Sequence, residues 1–142
     1  MKPQSAAALA APFLFLAACD LSPESSHGFR LPDGDAQAGR QVYIDKQCAS
    51  CHAIEGMEDL RDGVEPEMTV AIGGMTTRVD TYGQFVTSVI NPSHKIAQGY
   101  RSEEFAEGGV SNMRNYNDVL TVSELIDLVA FLQDRYSEFP DY

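Results

Sequence analysis

The sequence is poor in positive charge, in cysteine and in long apolar runs, and each shortage excludes something. Only 10 Lys and Arg stand against 21 Asp and Glu, a formal charge of −11 over 142 residues. Nucleic-acid-binding domains are basic, so this balance argues against a nucleic-acid partner. The three cysteines, Cys19, Cys48 and Cys51, leave no partners for a disulfide framework once the closely spaced pair has another use. The N-terminal apolar stretch is shorter than the roughly 20 residues a membrane-spanning helix requires. No run alternates long enough to predict a real sheet, no internal repeat is visible, and the length suits one domain.

What is present begins with a secretory signal. Residues 1–18, MKPQSAAALAAPFLFLAA, carry Lys2 and then run apolar to a small-residue cleavage context. Leu16-Ala17-Ala18-Cys19 resembles the lipobox of bacterial lipoproteins, where the cysteine is acylated and becomes the new N-terminus. A lone thiol would otherwise be a liability in an oxidising compartment. The resemblance implies a lipid anchor on Cys19 and a place on the periplasmic side of a bacterial membrane. Asp20 is similar to an inner-membrane retention signal. Removing residues 1–18 takes away Lys2 and leaves a formal charge of −12, one positive charge fewer than −11. Acidity of this size steers a protein toward a basic docking patch or simply keeps it soluble.

Residues 19–34 are rich in Ser, Pro, Gly and Asp and read as a flexible tether; its 15 or so residues reach roughly 20 Å. The domain occupies residues 35–142, its packed part ending near Tyr136. Three helices are predicted. Asp35 caps the first, which runs to about Gln47 with Ala36, Gly39 and Tyr43 on one face. The second carries Tyr82, Phe85, Val86, Val89 and Ile90 at helical spacing and stops at Asn91-Pro92. Thr121 and Glu124 form a capping box for the third, whose stripe is Val122, Leu125, Leu128, Val129 and Leu132. The fold class is therefore all-α. The connection from Ala53 to Val79 has no helical period and is long for an idle loop, which predicts that something non-protein organises it.

Cys48-Ala49-Ser50-Cys51-His52 supplies that group. It is the C-x-x-C-H haem attachment pattern: two thiols three residues apart face one edge of a haem, and the adjacent histidine lies under the iron. A bare C-x-x-C also serves in zinc sites and thioredoxin-like dithiols. Zinc wants further Cys or His ligands at short spacing, and a thioredoxin unit wants alternating strands and helices. Neither is here.

AGRQVYIDKQCASCHAIEG, EPEMTVAIGG and SNMRNYNDVLTVSELIDLVAFLQ together resemble the class I cytochromes c over nearly the whole domain. The resemblance implies one covalent haem c beneath crossing N- and C-terminal helices, with long loops wrapping it. It makes Met113 the sixth ligand, 61 residues after His52 and just before the last helix. His94 is the rival; Met57, Met68 and Met75 read as apolar wall, and His27 belongs to the tether. Arg114 stands where the family commonly has proline, which predicts a less rigid ligand loop. Pro66 resembles the proline whose carbonyl accepts a hydrogen bond from the proximal histidine, and Tyr116 is placed to donate to a haem propionate. Gly39, Tyr43 and Phe131 match the helix crossing. The function implied is single-electron transfer between redox proteins of an electron-transfer chain rather than catalysis. The alternatives are an enzyme or gas sensor with an open sixth position, and a fixed haem subunit of a membrane complex.

Overall fold

Asp35 begins the first helix as its side chain predicts. Its carboxylate accepts from the amides of Gln37 at 2.8 Å and Ala38 at 3.2 Å, two donors a helix start leaves unpaired. Helix α1 spans Ala36–Asp45, two residues short of the expected end. Gln47 is the cause: its φ of 58° lies in the left-handed region, through which a helix cannot continue. The chain passes directly into a 3-10 turn, Cys48–Ser50. The structure, a computed structural model, describes residues 29–74 and 82–136. The signal, Cys19, His27, Met75 and the end of the chain lie outside the described residues.

Helix α2 is Tyr82–Ile90 and α3 is Val122–Gln133. The capping box forms: the Glu124 amide donates to Thr121 Oγ1 at 3.1 Å, and the Thr121 amide to the Glu124 carboxylate at 2.7 Å. Helices α1 and α3 pack closely because Gly39 has no side chain; a Cβ there would sit 1.9 Å from the Asp127 carbonyl oxygen. Beside that contact the Tyr43 and Phe131 rings meet edge to face, 5.7 Å between centroids. Each such pair contributes about 1 kcal/mol beyond the area it buries. The Lys46 ammonium closes the end of the interface, donating to the Val119 carbonyl at 3.0 Å and pairing with Glu124 at 2.9 Å.

The three helices fit the all-α expectation, and two short strand pairs accompany them. β1 (His52–Ile54) pairs in parallel with β2 (Val70–Ile72), and β3 (Ala106–Glu107) pairs antiparallel with β4 (Val110–Ser111). Segments of two or three residues are too short to show a period of two. Further 3-10 turns lie at Glu58–Arg61, Pro92–His94 and Gln98–Tyr100. The described part of the long connection is thus ordered by protein as well as by any ligand: β2 returns to pair with β1, and Gly73–Gly74 docks on the end of α3. There the Gly74 amide donates to the Arg135 carbonyl at 2.9 Å. Gly73, at φ 97°, comes so near that a Cβ would lie 2.7 Å from the same oxygen.

Candidate functional site

The αL residue Gln47 turns the cysteine pair away from the axis of α1. Within the turn the Cys51 amide donates to the Cys48 carbonyl at 3.2 Å, bringing both thiols, free and half-buried, onto one bend. Two cavities adjoin there. The larger, about 460 Å³, is walled by Cys48, Tyr43, Phe85, Val89, Leu128 and Leu132 among others. The smaller, about 140 Å³, is walled by Cys51, Met68, Ile96 and Phe105 among others. His52, Val70, Ala97, Tyr100 and Met113 line both. The larger volume falls in the range of small-molecule and cofactor sites.

Three groups hold the attachment turn. The Tyr43 hydroxyl, on a side chain only 1 % exposed, donates to the His52 carbonyl at 2.9 Å. The Glu67 and Val70 amides donate to the carbonyls of Ser50 and Cys51 at 2.9 and 2.8 Å. The third group is Arg61, which the sequence reading missed. Its Nε donates to the Ala49 carbonyl at 2.9 Å, Nη2 to the Met68 carbonyl at 3.1 Å and Nη1 to Thr69 Oγ1 at 3.2 Å. One guanidinium thereby joins the cysteine turn to the segment entering β2, using the fixed fork that lysine lacks. A lone arginine in an irregular loop gives no periodic signal.

Burial, foremost, holds the His52 imidazole below its ordinary pKa; the Val70 backbone opposes this and the nearby Arg61 cation adds to it. This favours the neutral ring, the form that ligates a metal. Burial also pushes the Cys48 thiol up to about 11, with the neighbouring Cys51 adding to the rise, against its own backbone amide and the Lys46 charge. The His52 Nδ1 atom is buried without a hydrogen-bond partner. The His52 imidazole, two free thiols and a thioether around one apolar slot fit a covalently attached haem: two attachment points, a nitrogen donor and a soft sulfur donor.

The structure brings Cys48, Cys51, His52 and Met113 together and adds Met68. It does not bring in three other residues. Pro66 is exposed and does not satisfy His52 Nδ1; the adjacent Glu67 amide is bonded to Ser50, which leaves the proline at an outer turn. Tyr116 lines neither cavity, and its hydroxyl donates instead to the Lys46 carbonyl at 3.0 Å. The rival His94 is exposed, its Nδ1 2.9 Å from the Asn91 carbonyl. Met57 packs against the core, with Arg135 Nη1 3.8 Å from its sulfur.

A family profile described as Cytochrome c matches residues 36–135. Over 26 residues the chain is 62% identical to "Cytochrome c" of Tetrahymena pyriformis, a stretch covering 18% of this chain and 23% of that protein. The match thus spans less than a quarter of that relative's length. No solved structure matches.

Proposed function

This chain belongs to the cytochrome c family, and on that premise we propose that it is a membrane-anchored periplasmic monohaem carrier passing single electrons between respiratory redox partners. Haem c is covalently bound in this family, and Cys48 and Cys51 stand in the motif that binds it. Bound there, it supplies one-electron exchange at iron.

The chain's own residues do the rest. Cys48 and Cys51 would form the thioether links. His52 and Met113, which line both cavities, would be the nitrogen and sulfur donors that hold the iron, and a thioether donor would favour its reduced state and raise the potential. Tyr43 and Arg61 hold the backbone that carries His52, while Phe85, Val89, Leu128 and Leu132 keep water from the slot. With both donors supplied by this chain, the iron would be left no open position for a substrate.

The observation that carries the reading is Met113 sharing both cavities with His52 while His94 faces solvent. Carbon monoxide added to the reduced protein tests it: the spectrum should not change. A large change would replace the carrier with a sensor or enzyme. For the anchor, support comes from Leu16 to Cys19. Cys19→Ser should release a soluble form with an unaltered haem spectrum; a variant that stays on the membrane would overturn the lipid reading.

A further inference from the structure

Met113 lies on a segment with little to hold it but side chains. Upstream, Asn112 is fixed: its side-chain amide donates to the Glu103 and Glu104 carbonyls, both at 3.0 Å, and its backbone amide to the Phe105 carbonyl at 2.9 Å. At Met113 itself the amide makes only a local bond, to Ser111 Oγ at 3.2 Å. The next two contacts leave the loop, and both reach the segments that carry the haem-attachment turn. The Arg114 guanidinium pairs with the Glu67 carboxylate. Glu67 sits on a fixed platform, its own amide bonded to the carbonyl of Ser50 between the two cysteines, with Arg61 pinning Met68 and Thr69 beside it. The Tyr116 hydroxyl donates to the Lys46 carbonyl, two residues before Cys48.

We infer that Arg114 and Tyr116 are positioning residues, two straps from the Met113 loop to the attachment turn that hold the Met113 sulfur against the iron. The inference rests on Met113 being the sixth ligand. Its physical content is a population: the loop opens and closes, and any external ligand competes only with the open form, so its apparent affinity scales with the fraction open. Breaking a strap raises that fraction. The Arg114–Glu67 pair is half-exposed on both sides, 52% and 51%, so it is a strap that salt weakens. The Tyr116 bond is a neutral one, insensitive to salt.

The experiment is a titration of the ferric holoprotein with imidazole at mildly alkaline pH, where the probe is neutral, followed in the haem spectrum. Arg114→Ala should raise the apparent imidazole affinity about twofold to fivefold at low salt, the range exposed ion pairs deliver. Tyr116→Phe should raise it by a similar or larger factor, roughly twofold to tenfold. Raising the salt should strengthen imidazole binding by the wild type and by Tyr116→Phe, and leave Arg114→Ala unmoved. The charge-exchanged double variant Glu67→Arg with Arg114→Glu should return toward the wild-type affinity while each single change departs from it. Variants that bind imidazole as the wild type does, in a protein that shows the sulfur-to-iron band, would overturn the straps and leave Met113 as ligand. A wild type without that band would overturn the ligand and the straps with it.

Discussion

The two sides of this molecule are held in different ways. Where α1 meets α3 the contact is backbone against backbone, with Gly39 admitting the Asp127 carbonyl and the Tyr43–Phe131 ring pair beside it. Around the attachment turn the core residues Phe85, Val89, Leu128 and Leu132 also wall a cavity, and the backbone is fixed by Tyr43, Arg61 and the amides of Glu67 and Val70. A close-packed interface tolerates no added volume. The second side surrounds a cofactor-sized space, and polar ties fix the backbone that borders it.

Substitutions that load one side or the other sharpen this contrast. Gly39→Ala should have the largest effect. The new methyl meets a backbone carbonyl that cannot move alone, so the helices must separate, at a cost of about 3 kcal/mol, the upper end for overpacking. Chemical denaturation of the holoprotein measures it, and a loss under 1 kcal/mol would mean that the interface yields. Arg61→Ala follows, at about 2 kcal/mol for three bonds from a charged, partly exposed donor. Its loss should also alter the haem spectrum, whereas Gly39→Ala should change stability first. Tyr43→Phe removes one hydroxyl from the His52 carbonyl and keeps the ring contact, so it should cost about 1 kcal/mol.

The smallest effect lies at the start of α3. The Thr121 backbone amide, then the Lys46 ammonium, hold the exposed Glu124 carboxyl below its ordinary value of 4.5. A folded-state pKa that is depressed adds stability above the unfolded value, and that stability is lost as pH falls through the folded one. Glu124→Gln should therefore flatten the stability curve below about pH 4.5 and change it little at neutral pH. Equal slopes for the two proteins in acid would contradict the cap's electrostatic role.

Legibility in the sequence divides along the same line. Helices α2 and α3 were readable because a period of 3.6 and a capping box are local signals, and the Gly39 crossing was placed by resemblance. The end of α1 was not, since Gln47 adopts a left-handed conformation that nothing in its chemistry announces. The strands escaped notice because two or three residues cannot display alternation. At the site, Cys48, Cys51 and His52 carry a spacing that chemistry dictates, and Met113 was placed by resemblance. Pro66 and Tyr116 were placed by resemblance too, but their surroundings differ: Glu67 bonds Ser50, and the Lys46 carbonyl takes the tyrosine hydroxyl. Arg61 acts through the geometry of three separate segments, which no local pattern encodes.

Met113 and His52 would be the two protein donors to the iron of one covalent haem, and the ferric optical spectrum tests this most directly. A thioether bound to ferric iron gives a weak sulfur-to-iron band toward the red end, which histidine and water do not reproduce. The wild type should show that band. Met113→Ala should erase it, lower the reduction potential and let the reduced protein bind carbon monoxide, while Met68→Ala leaves the band in place. A band that survives Met113→Ala, or that Met68→Ala abolishes, would contradict the assignment.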